Sequence, residues 1–89
     1  MKANFKKLRV EVTFDDFKEV DVTKVLGNFI HANTPDIGLD DVARAIYHSE
    51  GEMDIPDEYT ATIISMVQQK NCMILAGFKK AIINELTKE

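Results

Sequence analysis

Two histidines and one cysteine are the side chains of this sequence best suited to hold a transition metal, namely His31, His48 and Cys72. A zinc site takes four such ligands, usually in closely spaced pairs, whereas these three are separated by 17 and 24 residues. Both histidines fall in the last turn of a predicted helix, where the helix dipole favours a cation. We therefore predict no metal site.

Acidic side chains form two clusters, and calcium is the ion that such clusters bind in other proteins. An EF-type loop needs acids at alternating positions, a central glycine and a glutamate at its twelfth position, and neither cluster has this pattern. Both clusters fall where helices are expected to begin, and acidic groups stabilise helix N-termini. We expect no calcium site, and we interpret four of these acids as candidate contacts for a basic partner: Asp40, Asp41, Asp57 and Glu58.

No catalytic motif is present among the nucleophilic and glycine residues. Ser49 and Ser65 lack the glycine setting of a hydrolase nucleophile, and the four glycines are too scattered for a phosphate-binding loop. Cys72 is predicted to be a buried structural thiol, because free cysteine is among the most buried residue types. We predict that the protein is not an enzyme and uses no cofactor.

Length and charge describe one small globular domain over residues 1–89. A chain of 89 residues builds only one modest core, and 45% apolar with 29% charged residues is ordinary for a globular domain. The net charge of −4 divides into +4 over residues 1–9, −10 over 10–69 and +2 over 70–89. The acidic middle disfavours contact with a phosphate backbone.

Because there is no apolar run long enough for a membrane span, no signal peptide pattern and only one cysteine, we expect a cytoplasmic protein.

Alternating apolar residues predict a β-hairpin at the N-terminal end. Leu8, Val10, Val12 and Phe14 alternate with polar residues, which is typical of a strand with one buried face. We predict strands near 5–14 and 18–22. Val20 and Val22 must be in phase with the first strand, so a three- or five-residue loop is expected.

From Thr23 onward the apolar residues recur at helical spacing. Four helices are predicted, over 23–33, about 39–49 ending at Gly51, from Pro56 to Asn71, and about 73–87. Gly27 lies inside the first of them, and we attribute it to a close approach of the hairpin. The predicted class is α+β, with the order β-β-α-α-α-α around a single small core.

The hairpin suggests where the protein makes contacts. Two strands alone leave two open edges, and few residues of the first strand, Arg9 among them, protect its edge. Phe17 is predicted at the hairpin tip as an exposed contact aromatic. We therefore hypothesise a protein-interaction or assembly module that forms a homodimer.

A small nucleic-acid-associated regulator is the alternative, with Lys2, Lys6, Lys7, Arg9, Lys79 and Lys80 as its basic surface. The segment Leu39–Arg44 is similar to the start of a helix-turn-helix, but no three- or four-residue turn follows it. Acids at the start of the next helix would also repel phosphate. We do not expect nucleic acid or a membrane to be the partner.

Two segments carry a resemblance to known proteins: Leu26-Gly27-Asn28, and Asp36-Ile37-Gly38-Leu39-Asp40-Asp41-Val42-Ala43-Arg44-Ala45-Ile46-Tyr47-His48. There, and across residues 8–88, the chain resembles small prophage- or mobile-element-encoded bacterial proteins of unknown function. The resemblance implies a bacterial or phage cytoplasmic setting and a role in assembly, regulation or interference with host proteins. It implies no catalytic residue.

Overall fold

The computed structural model describes residues 1–69, 72 and 74–88. In chain order these form strands β1 (Lys2–Asn4), β2 (Leu8–Thr13) and β3 (Asp16–Val20), helices α1 (Thr23–Asn33) and α2 (Ile37–Tyr47), strand β4 (Glu52–Asp54), and helices α3 (Asp57–Gln68) and α4 (Ala76–Thr87). The predicted α+β class is confirmed. The predicted order is incomplete, because it lacks β1 and β4.

The predicted hairpin is formed by β2 and β3, which pair antiparallel. Val20 lies opposite Leu8, so β3 is in phase with the buried positions of β2, as predicted. The predicted loop length is wrong, because only Phe14 and Asp15 connect the two strands. The register shifts between Glu11 and Thr13, and a bulge of this kind places one extra residue on β2. That extra residue preserves the phase despite the shorter connection.

Only half of the predicted buried face of β2 lies in the core. Leu8 and Val10 are buried, whereas Val12 is 41% exposed and Phe14 is 92% exposed. Asp15 follows with a φ of 63°, a left-handed conformation that aspartate adopts more readily than most residues. The hairpin therefore extends beyond the core, and its tip is covered by nothing among the described residues.

A second two-stranded sheet, which the sequence analysis did not predict, joins β1 to β4. Ala3 lies opposite Met53, and the Ile55 N–H donates to the Met1 carbonyl at 2.7 Å. Each strand has three residues, too few to display a period of two.

An aspartate accepts a hydrogen bond from the first turn of each of the first two helices. Asp21 Oδ1 accepts from the N–H and the hydroxyl of Thr23 at 2.9 and 2.6 Å, and α1 has the predicted bounds. Asp36 Oδ1 accepts from the Gly38 N–H at 2.8 Å, so α2 begins two residues before the predicted position. The predicted left-handed end at Gly51 is wrong, since α2 ends at Tyr47 with His48 as its C-cap and no glycine of the described residues has a positive φ.

The last two helices agree with the prediction in part. Helix α3 begins directly after Pro56, as expected from its acidic first turn. Its predicted end at Asn71 and the predicted start of the fourth helix at Met73 lie outside the described residues. Helix α4 begins at Ala76. In the part of the chain that the structure describes, no helix has the length and apolar character needed to cross a bilayer.

Both sheets and all four helices contribute side chains to one buried apolar cluster, which includes Phe5, Val10, Leu26, Ile46, Ile63 and Ile82. Gly27 marks a close approach, but to α2. A Cβ on Gly27 would lie 2.9 Å from the Ala43 carbonyl oxygen and 2.9 Å from Tyr47 Cβ. The predicted approach to the hairpin is made by Gly77, where a Cβ would overlap the Glu11 carbonyl oxygen. Helix α4 therefore packs directly on β2.

Candidate functional site

The hairpin places the predicted contact residues Arg9 and Phe17 together. The guanidinium of Arg9 lies over the Phe17 ring, 4.8 Å from its centroid. In the strand register, Arg9 faces Glu19 and Glu11 faces Phe17, so these four side chains share one face of the hairpin. Phe17 is 45% exposed and lies within β3. The prediction that it occupies the tip is wrong, because Phe14 is the tip aromatic.

Strand β3 has one unpaired edge, which we call the hairpin edge (Asp16–Val20). Its first four residues are exposed and only Val20 is half-buried. Among the described residues β2 is the only strand that pairs with β3, and α4 packs against β2. An edge of this kind presents free N–H and C=O groups to another strand. The backbone of the hairpin edge is thus available for pairing.

Charges alternate in sign along the hairpin edge. Asp16 precedes Phe17, and Lys18 and Glu19 follow. Within the described part of the chain, neither Lys18 nor Glu19 forms an ion pair. Asp16 makes one contact, accepting from the Thr13 hydroxyl at 3.4 Å. The charges of β3 are therefore available to an outside partner.

The acidic candidates lie on the helices, away from the hairpin edge. Asp41 on α2 and Glu58 on α3 both act on Tyr59, whose pKa is raised by burial first and then by the nearby negative charges of Asp36, Glu58 and Asp41. Asp57 pairs with the N-terminal ammonium at 3.1 Å. The first turns of α2 and α3 are thus close together, and their acids form a surface separate from Arg9 and Phe17.

Asp40, the remaining acidic candidate, is engaged within the protein. Its Oδ1 lies 2.5 Å from Nδ1 of His31 on α1. The residues around this pair form a concave surface between α1 and α2. His31 and His48 were predicted only as residues near the ends of two separate helices, and the structure places both on this concave surface. Only the packing of α1 on α2 could have indicated this, because the two histidines lie 17 residues apart in the chain.

The two basic ends of the chain approach each other, but part of their charge is compensated. The Asn4 N–H donates to Glu85 Oε2 at 2.7 Å, which joins β1 to α4. Lys2 pairs with Asp54 at 3.0 Å, and Lys6 pairs with Asp21 at 3.2 Å. These contacts reduce the basic surface that the nucleic-acid alternative requires.

The structure has a short helix–helix link, but not at the position that the helix-turn-helix alternative considered. A three-residue link does join two helices, but it joins α1 to α2 and precedes Leu39. The second helix of that unit begins beside Asp36, Asp40 and Asp41, where a DNA-reading helix would meet phosphate. This arrangement gives no support to DNA binding.

In residues 1–69, 72 and 74–88, no group of three His, Cys, Asp or Glu side chains lies close enough together to hold a metal ion. Comparison with known proteins adds no assignment: no family model, no curated protein and no solved structure matches the chain. The resemblance to prophage-encoded proteins stays a prediction.

Proposed function

We propose that this chain is a non-catalytic protein-interaction module that associates with a second copy of itself through the hairpin edge. The observation that supports this most strongly is the order of residues along that edge, Asp16-Phe17-Lys18-Glu19. A free strand edge pairs with many partners, so the side chains must determine which pairing is favourable. The charges of β3 favour one self-pairing register.

Symmetry limits the registers that two β3 strands can adopt. In a two-fold dimer the strands run antiparallel about an axis perpendicular to the sheet. Opposed residues share a face of the sheet, so a symmetric pairing always places one residue opposite its own copy. The choice is therefore between a few central residues.

Among Phe17, Lys18 and Glu19, only a centre at Phe17 places no like charges on the two-fold axis itself. A centre at Lys18 sets two lysines opposite each other, and a centre at Glu19 sets two glutamates opposite each other. Like charges directly opposite are destabilising. A centre at Phe17 pairs the two aromatic rings and sets Asp16 opposite Lys18 of the second copy, on both sides of the axis.

The same register also covers exposed apolar surface. It directs Phe14, at the tip of each hairpin, toward Val20 of the second copy. The same register sets Asp15 of the turn opposite Glu19 of the second copy, a like-charge pair that weakens the contact. The contact is nevertheless short, because β3 has five residues and a stable interface buries more than about 1,000 Å². Each cross-strand pair contributes about 0.2–1 kcal/mol. We therefore expect reversible, concentration-dependent and salt-sensitive association.

Charge reversal within β3 tests this register. Sedimentation equilibrium from micromolar to millimolar protein should show self-association of the unaltered chain. Asp16→Lys and Lys18→Asp should each weaken it, because each sets like charges opposite one another. The double variant Asp16→Lys/Lys18→Asp should restore it. Asp41→Lys, an equal change of net charge on α2, is the matched control and should have little effect.

Two results would contradict the proposal. A monomer throughout the concentration range would exclude self-association. Equal weakening by Asp16→Lys and Asp41→Lys would show that net charge matters and that the β3 register does not.

The proposed setting is the cytoplasm of a bacterium or its phage. Support comes from the single cysteine, Cys72, since disulfide-stabilised domains of this size belong to oxidising compartments. The resemblance to prophage-encoded proteins points to the same setting.

A further inference from the structure

A polar groove lies between α1 and α2, and it is separate from the hairpin edge. Asn28 and His31 line it from α1, and Asp40, Arg44 and Tyr47 line it from α2, with Gly27 and Ala43 between them. His48, the residue directly after α2, also lines it. We call this surface the α1–α2 groove. Gly27 has no side chain and touches the α2 backbone, so the two helices meet closely beneath the polar residues.

Helical spacing explains why one side of α2 supplies these groups. Residues four apart lie on the same face of a helix, and Asp40, Arg44 and His48 follow each other at that interval. A spacing of three does the same on α1 for Asn28 and His31. Two rows of polar side chains therefore border the groove.

Contacts within the groove already fix several of these side chains. His31 Nδ1 and Asp40 Oδ1 are 2.5 Å apart, so the carboxylate orients the imidazole and accepts from Nδ1. Lys24 Nζ donates to the Tyr47 carbonyl at 2.6 Å and lies 4.1 Å from the centre of the Tyr47 ring. The ring of His48 meets that of Tyr47 edge-on, with centroids 5.0 Å apart.

Arg44 differs from its neighbours because its charge is not used. Within residues 1–69, 72 and 74–88 it forms no ion pair and donates no side-chain hydrogen bond. A guanidinium presents its donors in a planar fork that matches two oxygens of a carboxylate or phosphate. In a protein with a net charge of −4, this is a local cationic donor at a concave surface.

We infer that the α1–α2 groove binds a phosphate-class oxyanion. Arg44 supplies a bidentate contact, and the imidazoles of His31 and His48 donate to the remaining oxygens when protonated. Lys24 adds positive charge at the end of the groove near Tyr47. Asp40 is the one carboxylate in the groove, and its charge is directed to His31 Nδ1, which leaves the Nε2 side of that ring for the ligand.

His31 on α1, Asp40, Arg44 and Tyr47 on α2, and His48 directly after α2 are the charged and titratable groups that line the site. Lys24 on α1 reaches the edge of the site, where it donates to the Tyr47 carbonyl.

Titration with inorganic phosphate tests the site directly. The NMR signals of the His31 and His48 rings should move together and saturate, with one dissociation constant for both. A parallel titration with phosphoserine tells a free ion from the phosphate of a larger ligand, according to which binds more tightly. Arg44→Gln should weaken binding about tenfold to a hundredfold.

Arg9→Gln is the matched control, because Arg9 and Arg44 are the two arginines of the chain and Arg9 lies on the hairpin. It should leave phosphate binding unchanged. Equal weakening by the two substitutions would overturn the inference, as would ring signals that do not saturate. Neither result bears on self-association, which is measured with β3 variants, so the two proposals fail separately.

Discussion

Gly27→Ala adds one methyl group at the point where α1 contacts α2. The new Cβ would lie 2.9 Å from the Ala43 carbonyl oxygen, 2.9 Å from Tyr47 Cβ and 3.2 Å from Tyr47 Cα. Carbon atoms in contact are normally about 3.5–4.0 Å apart. Because two of the three neighbours are backbone atoms, a side-chain rotation cannot remove the overlap. The helices must separate by about 0.5–1 Å to restore normal contact distances.

The expected change in stability is a balance of two terms. Overpacking of this kind costs about 1–3 kcal/mol, and alanine in a helix interior is favoured over glycine by about 1 kcal/mol. The free energy of unfolding should therefore fall by about 1 kcal/mol. For a small protein with a urea m-value near 1 kcal/mol/M, that lowers the midpoint of urea unfolding by about 1 M.

Gly51→Ala is the control for this measurement. No atom lies within 4 Å of a Cβ built on Gly51, and its φ is not positive. Alanine there should leave stability unchanged or raise it by about 0.4–1 kcal/mol, through the unfolded chain. Urea unfolding that finds Gly27→Ala as stable as Gly51→Ala would refute the close packing of α1 on α2.

Two further predictions concern single carboxylates. The Asp21 carboxylate accepts two hydrogen bonds from Thr23 and pairs with Lys6, which lowers its pKa from 3.8 to about 2. Its stabilising contribution is present above the unfolded value and is lost as the pH falls toward about 2. Asp21→Asn should therefore flatten the pH dependence of urea unfolding in that range, and an unchanged curve would contradict this. Glu85→Ala leaves the Asn4 N–H without its acceptor and should cost about 1–3 kcal/mol. Glu85→Gln keeps an acceptor and should cost less, so equal losses in urea unfolding would count against the contact.

Periodicity predicted the elements that are long enough to show it. The six-residue β2 and the helices of 11 or 12 residues were found because each displays a period of 2 or 3.6. Strands β1 and β4 were not predicted, because a strand of three residues is too short to show an alternating pattern. Their pairing, with Ala3 opposite Met53, is visible only in the structure. The bulge near Val12 was not predicted either, and neither was the exposure of Phe14.

The candidate surfaces were predictable to different degrees. Arg9 and Phe17 were chosen separately, as an edge residue and a tip aromatic, and the contact between them was not predicted. It follows from a strand register that the sequence pattern did not give. The α1–α2 groove was not identified, since it depends on which faces of two helices meet. Gly27 carried the relevant signal, a small residue inside a helix, but spacing alone does not tell whether a strand or a helix approaches it.

The fold does not depend on the residues of the hairpin edge, which the first proposal uses, or on the cationic residues of the α1–α2 groove, which the second uses. Four of the five residues of β3 are exposed, and Val20 alone connects that strand to the core, so alternating polar residues in any charge order would preserve the hairpin. Arg44 and His48 are likewise exposed, and neither contributes to the buried cluster. Core packing therefore explains neither the sequence Asp16-Phe17-Lys18 nor the cationic row on α2. The two proposals give each a reason, because opposed charges would select a strand register and an unpaired cation would select an anion.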